Sequence, residues 1–334
     1  MTAAELAEKL GGNLHGDPVA LTGAAPIESA GPSDLAFAAT EKAFPAARRS
    51  RAGCIIAPPN YVPEPGQTTI LTPTPRPFFA AALALLYPVR PVVAGIHPSA
   101  YISPGACIDP TVEIGPQCTV GNLSRVGPGT RIAPGCHIGS DVHIGADCLL
   151  HAAVVIYDGT RIGDRVILHS GCVLGADGFG FTPENGRWVK FPQVGFVQLE
   201  DDVEIGANSC VDRAALRRTR IGRGSKLDNM VHVGHQCDIG CNVVIAAQTG
   251  LSGGVTVGDG AIIGGQVGVG DKARIEPGVV LGSGSGVLTS KIARAGEPLW
   301  GTPARPLREY LEQLAFAGRL PELFDRVKAL EKKS

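Results

Sequence analysis

Aliphatic residues recur at every sixth position through the middle of the chain. The run extends from Ile102 to Leu174 without a miss, and small or β-branched residues tend to follow each aliphatic by four positions. A period of six matches neither the 3.6-residue helix nor the two-residue alternation of a simple strand. It is typical of a parallel β-helix, in which each six-residue unit supplies one short strand and one corner. Three units make one triangular coil, so residues eighteen apart are expected to stack.

The six-residue pattern is interrupted once. It breaks after Leu174, resumes at Ile205 and Val211, slips by four residues, and continues from Ile221 to Val287. The interruption contains "ADGFGFTPENGRWVKFPQ", and a long loop expelled from a regular solenoid is usually functional or an oligomer contact. Right-handed crossovers are the general rule for parallel strands. Hexapeptide solenoids of this kind resemble the left-handed exception, so the predicted fold class is mainly β, a left-handed parallel β-helix.

The segments on either side of the solenoid follow other patterns. The N-terminal part mixes short strand patterns ("AGCIIAP", "QTTILTP") with helical ones ("AAELAEKL", "PFFAAALALLY"), which predicts a separate α/β domain. After "AGEPLWGTPARP" an apolar stripe with helical spacing begins at Leu307 and ends at Leu330. We therefore predict an α/β domain over residues 1–97, the β-helix over 98–300 with a loop insertion over 176–200, and a C-terminal helical extension over 301–334.

Composition and charge disfavour nucleic-acid-binding and membrane-spanning classes of protein. The net charge is −1, so there is no overall basic field for nucleic acid or an acidic membrane. The N-terminus lacks the pattern of a signal peptide, and no apolar run approaches the ~18–20 residues of a transmembrane helix. We expect a cytoplasmic protein, because several cysteines occupy the small core position and are expected to be buried, reduced packing residues. They are Cys118, Cys136, Cys148, Cys172 and Cys237.

The histidines are the first candidates for chemistry. His151 and His169 are eighteen apart and are expected to stack. His232 and His235 flank core Val233 in "KLDNMVHVGHQCDIG", where they are surface residues, zinc ligands or catalytic groups. Zinc needs three or four ligands, and the positions eighteen residues from His235 are Gly253 and Arg217, so a metal site is disfavoured.

Gly253 favours catalysis instead. A glycine one coil above His235 leaves its backbone N–H unshielded by a side chain. A base beside a bare amide donor is the minimal equipment for acyl transfer, because one group takes a proton and the other holds an oxyanion.

Several segments together resemble one family. They are "GAAPIESAGPSDLAF", "GADGFGF", "WVKFPQVG", "IGANSCVDR", "DNMVHVGHQCDIG" and "IGGQVGVG", and they resemble the UDP-3-O-acylglucosamine N-acyltransferases of lipid A biosynthesis over nearly the whole chain. The resemblance implies a homotrimer that transfers a 3-hydroxyacyl chain from acyl carrier protein to the 2-amine of UDP-3-O-acylglucosamine. It implies no cofactor of the enzyme's own, since 4′-phosphopantetheine is carried by the donor protein.

The resemblance also implies roles for particular residues. His235 matches the catalytic base, Gly253 the main-chain oxyanion donor, and Asn229 and His232 the sugar site. In the N-terminal domain Phe37 matches an aromatic residue that stacks on uracil.

This chain departs from the family pattern at several positions. Lys42 aligns with the family's lysine, whereas Thr40 and Phe44 stand where the family has asparagine and tyrosine, and His232 stands where glutamine is common. Lys272 stands where many members have a histidine, so it is expected either to replace that histidine as a donor or to leave the task to His235.

Acyl carrier protein is acidic, so basic residues near the active coil are predicted to dock it. They are Arg217, Arg218, Arg220 and Arg223, and the basic C-terminal tail is the alternative docking surface. Other functions stay open at this point. They are a coenzyme A-dependent acetyltransferase on the same solenoid, the sister O-acyltransferase acting on UDP-N-acetylglucosamine, and a non-catalytic or zinc-binding solenoid.

Overall fold

A computed structural model of the chain describes residues 1–331. Residues 332–334, the end of the predicted helical extension, lie outside the described residues. The chain forms two compact units, Met1–Pro91 and Val92–Ser334. The boundary lies before the predicted position at residue 97 because Gly95–Ile96 already pairs with the solenoid strand Glu113–Ile114.

The N-terminal unit is an α/β fold around one five-stranded sheet. Its elements are α1 (Ala3–Leu10), β1 (Asn13–His15), β2 (Gly23–Ala24), β3 (Asp34–Phe37), a 3-10 turn (Glu41–Ala43), α2 (Phe44–Arg49), β4 (Cys54–Ala57), β5 (Thr69–Leu71) and α3 (Pro75–Leu86). The strand order is β1-β5-β4-β3-β2, and only β1 runs antiparallel to its neighbour. The central strand β4 is buried along its whole length, as expected for a parallel strand covered on both faces.

The second unit is a stack of very short strands. Before the insertion they are β6 (Gly95–Ile96), β7 (Tyr101–Ile102), β8 (Cys107–Ile108), β9 (Glu113–Ile114), β10 (Thr119–Val120), β11 (Arg125–Val126), β12 (Arg131–Ile132), β13 (His137–Ile138), β14 (His143–Ile144), β15 (Leu149–Leu150), β16 (Val155–Ile156), β17 (Arg161–Ile162), β18 (Ile167–Leu168) and β19 (Val173–Asp177). The insertion forms a hairpin of β20 (Phe181–Glu184) and β21 (Arg187–Lys190).

After the hairpin the stack continues to the C-terminal helices. Its strands are β22 (Phe196–Leu199), β23 (Glu204–Ile205), β24 (Cys210–Arg213), β25 (Arg218–Ile221), β26 (Lys226–Leu227), β27 (His232–Val233), β28 (Asp238–Ile239), β29 (Val244–Ile245), β30 (Gly250–Leu251), β31 (Thr256–Val257), β32 (Ile262–Ile263), β33 (Gly268–Val269), β34 (Arg274–Ile275), β35 (Val280–Leu281), β36 (Gly286–Val287), β37 (Ile292–Ala293), β38 (Leu299–Trp300) and β39 (Arg305–Pro306).

These strands form the three faces of the solenoid. Face 1 has the order β36-β33-β30-β27-β24-β19-β16-β13-β10-β7, and face 2 has the order β37-β34-β31-β28-β25-β22-β17-β14-β11-β8. Face 3 contains the remaining solenoid strands. The strands pair in parallel, except that β39 returns antiparallel on β38. The predicted mainly β, left-handed parallel β-helix is confirmed.

The hexapeptide pattern places its residues as predicted. The aliphatic residue of each unit points inward, and the cysteine, serine, threonine or valine four positions later fills the core beside it. Corner residues three positions after the aliphatic adopt positive φ, for example Gln236 at 60° and Lys272 at 52°. Asparagine, aspartate and glutamine recur at these corners, and Asn and Asp tolerate the left-handed region better than most residues.

The insertion is shorter than predicted. Strand β22 lies within residues 176–200 but pairs with Arg161–Ile162 and returns two buried residues, Val197 and Leu199, to the core. The pattern therefore resumes at Leu199, six residues before Ile205. The segment between β19 and β22 leaves the regular solenoid and carries the hairpin.

The predicted C-terminal helices are present as α4 (Leu307–Gly318) and α5 (Leu320–Glu331). Neither helix has a buried residue, and the apolar side chains of the predicted stripe stay largely exposed, including Leu311, Leu314, Leu323 and Leu330. Within residues 1–331 no helix is long and apolar enough to span a membrane.

Candidate active site

A cleft of about 580 Å³ opens on face 1 between the hairpin segment and the upper coils. Residues of strands β24, β27, β30 and β33 and of the corners that follow them form its wall. The lining residues are Phe179, Asp212, His232, Gly234, His235, Gly250, Leu251, Ser252, Gly253, Gly268, Val269, Gly270 and Asp271. The predicted residues His232, His235 and Gly253 are therefore brought together in one cleft.

The imidazole of His235 packs between two glycines. A Cβ atom on Gly253 would lie 2.6 Å from His235 Nε2, and a Cβ atom on Gly178 would lie 2.4 Å from His235 Cβ. Both values are shorter than real Cβ contacts allow, so any side chain at either position would displace the ring. His235 Nδ1 lies 3.3 Å from Gln236 Oε1. An amide oxygen only accepts, so this contact requires a proton on Nδ1 and leaves the Nε2 lone pair facing Gly253.

The regular coil does not use the Gly253 N–H as a hydrogen-bond donor within residues 1–331. Gly253 lies two positions after core Leu251, and the same corner position holds Pro116, Pro128 and Pro134 in other coils. Because proline has no N–H, the coil does not require a donor at this position. Among residues 1–331 the Gly253 N–H has no protein acceptor, whereas its carbonyl accepts from Lys272 N at 3.0 Å. This N–H beside a histidine nitrogen is suited to hold a developing oxyanion.

Asp212 adds a carboxylate that the sequence reasoning missed. It lies on β24, one coil below His232, and is 7% exposed. His232 Nε2 lies 3.6 Å from Asp212 Oδ2. Burial raises the pKa of Asp212, and the nearby His232 and His235 oppose that shift. The available signal was "CVDR", where a polar residue directly follows core Val211 instead of the glycine found in many other coils.

Above the histidines, glycines occupy the outward position on face 1. The outward position that holds His232 on β27 holds Gly250, Gly268 and Gly286 on the next three strands. A Cβ atom added to Gly250 or Gly268 would meet nothing within 4 Å, whereas one added to Gly286 would lie 2.7 Å from Thr302 Cγ2. The resulting open column runs from the cleft towards the C-terminal segment and ends against Thr302.

Two predicted substrate residues lie outside the cleft lining. Asn229 is at the preceding corner, where its Oδ1 accepts from Ala207 N at 2.7 Å. Lys272 is exposed at the corner next to Asp271, with Nζ 3.7 Å from Asp271 Oδ2. Its backbone N–H holds the Gly253 carbonyl, so its established contact with the site is a main-chain one.

The four candidate docking arginines have different environments. Arg217, Arg218 and Arg220 line one cleft of about 530 Å³ together with Gln236, the neighbour of His235. Arg220 Nε contacts Glu200 Oε1 at 2.7 Å and its Nη1 contacts Asp238 Oδ1 at 2.9 Å, so its charge is already neutralised. Arg223 lines a different cleft, with His143 and Arg161.

The expected stacking of Arg217 under His235 was wrong. Strand β24 pairs Cys210 with His232 and Val211 with Val233, so Arg213 occupies the position below His235. The four-residue slip after Arg213 moves Arg217 to the start of face 2, where its carbonyl accepts from Phe196 N at 3.1 Å. Arg213 itself is held by Gly175 O at 2.6 Å and Asp158 O at 3.2 Å.

The predicted nucleotide residues belong to the N-terminal unit. Phe37 lies on β3, half-buried and stacked on Phe79 with ring centroids 4.6 Å apart. Lys42 is exposed on the 3-10 turn. Phe44 makes an edge contact with Tyr61 at 5.0 Å, and Thr40 is exposed.

Residues 1–331 contain no group of three or more histidine, cysteine, aspartate or glutamate side chains arranged to hold a metal ion. His232 instead faces Asp212, and His235 faces a glycine backbone. The two histidines therefore line the same cleft, but each has a different neighbour there.

Comparison with known families identifies two regions of the chain. Residues 19–85 match the model of UDP-3-O-(3-hydroxymyristoyl) glucosamine N-acyltransferase, LpxD, and residues 141–176 match that of the bacterial transferase hexapeptide, six repeats. The first match lies wholly within the N-terminal unit. It is therefore independent of the hexapeptide repeats, which many transferases share.

Curated relatives extend the similarity to almost the whole chain. A UDP-3-O-acylglucosamine N-acyltransferase of Anaeromyxobacter sp. strain Fw109-5 is 43% identical, over 98% of this chain and 94% of the relative. The enzyme of the same name from Coxiella burnetii strain Dugway 5J108-111 is 38% identical, over 98% of this chain and 96% of the relative.

Among solved structures, Arabidopsis UDP-N-acetylglucosamine acyltransferase is similar, with a TM-score of 0.57 and 27% identity over 67% of this chain and 77% of that chain.

Proposed function

The chain belongs to the UDP-3-O-acylglucosamine N-acyltransferase family, and we propose that it transfers a 3-hydroxyacyl chain from acyl carrier protein to the 2-amine of UDP-3-O-(3-hydroxyacyl)glucosamine. The product is UDP-2,3-diacylglucosamine, an intermediate of lipid A biosynthesis. The observation that carries the chemistry is the close approach of His235 to Gly253, where a Cβ atom would lie only 2.6 Å from His235 Nε2, together with a Gly253 N–H that has no acceptor within residues 1–331.

The proposed reaction is a direct attack. The amine nitrogen bonds to the thioester carbon while His235 Nε2 removes a proton from it, and the carbonyl oxygen becomes an oxyanion held by the Gly253 N–H. The tetrahedral intermediate then collapses, the carbon–sulfur bond breaks, and His235 returns the proton to the leaving thiolate. No redox step or metal is needed, and the enzyme carries no cofactor of its own because 4′-phosphopantetheine arrives on the donor.

Asp212 and His232 have supporting roles in this proposal. Asp212 is buried, with its Oδ2 3.6 Å from His232 Nε2, and its carboxylate is proposed to supply the negative charge that faces the imidazole of His235 when that ring holds the proton. His232 is exposed on the rim of the cleft and is suited to contact the sugar. Lys272 acts through its main chain, because its N–H fixes the Gly253 carbonyl and with it the neighbouring corner.

The open glycine column is the proposed path of the donor's acyl chain. It begins beside His235, where the thioester must lie, and runs past Gly250 and Gly268 with no side chain in the way. An acyl chain placed there covers buried apolar strands instead of polar corners. Thr302 closes the far end and is the first side chain that such a chain would meet.

Exposed charged residues and exposed apolar surface support the proposed protein partners. Arg217 and Arg218 are exposed beside Gln236 and are the proposed contacts for the acidic carrier protein. Arg220 lines the same cleft but is already paired with Glu200 and Asp238, and Arg223 lines a different cleft. The exposed apolar stripes of α4 and α5 support association of three copies into a homotrimer. The buried, free cysteines fit a reducing compartment, so we place the enzyme in the cytoplasm.

The N-terminal unit is proposed to hold the uridine. Phe37 offers an aromatic ring and Lys42 an exposed cation, which are the groups needed for a base and a diphosphate. Thr40 and Phe44 replace the asparagine and tyrosine expected there, so the nucleotide contacts of this chain differ in detail from the family pattern. Within the solenoid unit, Asn229 is a proposed sugar contact from its own corner.

The choice of acceptor and donor substrates distinguishes the proposed N-acyltransferase from the alternative acyltransferases. Purified protein is assayed with UDP-3-O-acylglucosamine or UDP-N-acetylglucosamine, each with acyl carrier protein thioesters of several chain lengths or with acetyl coenzyme A. We expect amide formation on the first acceptor from carrier-protein thioesters alone. Ester formation on UDP-N-acetylglucosamine would instead indicate the sister O-acyltransferase, and use of acetyl coenzyme A would indicate an acetyltransferase.

A further inference from the structure

Arg213 lies directly below the catalytic base but does not belong to the lining of the catalytic cleft. In the strand register it occupies the position of His235 one coil lower, and its side chain is only 16% exposed. Its guanidinium donates from Nε to Gly175 O at 2.6 Å and from Nη2 to Asp158 O at 3.2 Å. Because hydrogen bonds from a charged donor are stronger than neutral ones, this side chain fixes the main-chain segments that it contacts.

Gly175 is the residue at which the chain leaves the solenoid. The pairing of β19 with β24 shifts register between Leu174 and Ala176, so Gly175 lies in a bulge. It has a φ of 88°, and a Cβ atom there would lie 3.0 Å from Tyr157 Cβ, so a larger residue would be strained at this position. Bulges next to active sites redirect the chain. The hydrogen bond from Arg213 therefore acts on the point that sets the direction of the insertion.

The same guanidinium is linked to both ends of the hairpin. Arg213 Nε lies 3.8 Å from Asp177 Oδ1, and Asp177 forms an ion pair with Lys190. Asp177 is the last residue of β19, before the hairpin, and Lys190 is the last residue of β21, at its end. These three side chains form a row of alternating charge that ties the hairpin to strand β24.

The insertion in turn confines the imidazole of His235. Gly178 follows Asp177 directly, and a Cβ atom on Gly178 would lie 2.4 Å from His235 Cβ and 2.9 Å from its Cδ2. The backbone of the insertion thus packs against the Cβ, Cγ and Cδ2 atoms of His235, while Gly253 approaches Nε2. A displacement of Gly178 would remove one of the two walls that hold the ring.

The environment of Arg213 differs from that of a docking or substrate-binding arginine. Arg217 and Arg218 present their charges to solvent, whereas the guanidinium of Arg213 is largely buried and its Cζ lies 5.9 Å from the centroid of the Tyr157 ring. Its hydrogen bonds go to main-chain carbonyls of the solenoid and of the bulge. Its influence on the reaction must therefore pass through the segment that packs on His235.

We propose that Arg213 is a positioning residue for the acyl transfer. It holds Gly175 and Asp177, and through them it keeps Gly178 packed on His235, so that the Nε2 atom stays beside Gly253. This assignment rests on the proposed function, in which the base and the oxyanion donor must be aligned on one thioester. Arg213 sets the geometry of the base and takes no part in proton transfer or substrate binding.

The kinetic test compares Arg213→Ala with Arg161→Ala in the full-length enzyme. Arg161 is the matched control, because it also donates to a main-chain carbonyl, Gly159 O at 3.0 Å, and to the carboxylate of Asp141 at 2.8 Å, but on face 2. Arg213→Ala should lower kcat about 10- to 100-fold with KM for both substrates changed less than about threefold, because a misplacement of about 1 Å costs on the order of 100-fold in rate. Arg161→Ala should leave kcat and KM near their wild-type values.

Arg213→Lys tests whether the geometry of the guanidinium matters. Lysine retains the positive charge beside Asp177 but presents one donor atom instead of a planar fork. It should recover part of the kcat that Arg213→Ala loses, without a change in KM.

A chemical measurement reports the confinement of the ring without relying on turnover. Diethyl pyrocarbonate transfers an ethoxycarbonyl group to neutral imidazole nitrogen, and peptide mass spectrometry gives the rate of modification at His235. This rate should rise several-fold in Arg213→Ala and stay unchanged in Arg161→Ala, with the other histidines of each digest as internal references.

Three results would overturn the assignment. They are a wild-type kcat in Arg213→Ala, an effect confined to KM, and a lower kcat with an unchanged rate of His235 modification. Failure of the proposed function looks different, because the wild-type enzyme would then form no amide while the modification rate would still rise in Arg213→Ala. If Arg213→Ala does not fold, Asp177→Asn, at a side chain that is 40% exposed, should give a smaller loss of kcat and the same direction of change in modification rate, and no change in either would equally overturn the assignment.

Discussion

Replacing Gly253 by alanine tests the geometry of the site without removing any functional group. The new Cβ would lie 2.6 Å from His235 Nε2 and 2.7 Å from Cε1. Ordinary van der Waals contact begins near 3.4 Å, so the imidazole must retreat by about 0.8 Å. The Gly253 N–H stays in place, and the change therefore acts by moving the base and screening the donor.

A shift of this size has a large expected effect on catalysis. A misplacement of about 1 Å can cost on the order of 100-fold in rate, which corresponds to about 2.7 kcal/mol of transition-state stabilisation. We expect Gly253→Ala to lower kcat about 100-fold with little change in KM or in melting temperature, because His235 lies at a half-exposed corner. The assay is steady-state amide formation from carrier-protein thioester, accompanied by thermal unfolding.

Gly265→Ala is the matched control for this variant. Gly265 occupies the same corner position two residues after core Ile263, and its Cβ would meet only Ala247 O at 3.2 Å. It should retain activity within a factor of three. If Gly253→Ala were as active as Gly265→Ala, the close approach of His235 to Gly253 would have no catalytic role.

Two further predictions concern the surroundings of the base. Burial raises the pKa of Asp212, so the folded protein binds a proton more tightly there than the unfolded chain, and between the two pKa values stability falls as pH rises. Asp212→Asn should accordingly raise the melting temperature at neutral pH while lowering kcat about 10- to 100-fold. If the wild-type protein had the same melting temperature above and below this pH window, the burial argument would be wrong. Charge reversal of Arg217 and Arg218 to glutamate should raise KM for the carrier protein about tenfold, with KM for the UDP-sugar unchanged. Arg125→Glu, an exposed arginine on a lower coil of face 2, serves as the control, and an unchanged carrier-protein KM would remove both arginines from the docking surface.

The sequence predicts the solenoid well because one physical rule repeats along it. Each coil needs an inward aliphatic residue and a small core residue, so the six-residue period specifies strand, corner and stacking together. His151 and His169, eighteen residues apart, are stacked with ring centroids 5.0 Å apart and planes within 6°. The contact between His235 and Gly253 follows from the same rule, since no residue is inserted between their coils.

The failures occur where the period is broken. A slip of four residues after Val211 makes simple counting place Arg217 below His235, whereas the strand pairing places Arg213 there. The return of the chain at Leu199 was missed although Leu199 lies six residues before Ile205, because the twenty-five residues from Leu174 to Leu199 are not a multiple of six and hide the return. Spacing alone does not show how many residues an irregular corner absorbs.

Asp212 was missed for a different reason. The repeat makes every position after a core aliphatic equivalent, so a polar residue there looks like one more corner. Its burial depends on the bulged pairing of β19 with β24 and on the neighbouring hairpin segment, which are tertiary features. The cleft lined by Phe179, Phe181 and Trp188 was likewise not predicted, because the insertion has no periodicity that would place these side chains together.

The central claim is that His235 is the base of an N-acyl transfer, and His235→Ala tests it most directly. The measurement is single-turnover amide formation with saturating UDP-3-O-acylglucosamine and acyl carrier protein thioester, with UDP-sugar binding and oligomeric state measured on the same sample. We expect turnover to be abolished while binding and assembly stay intact. Wild-type turnover in this variant would contradict the claim.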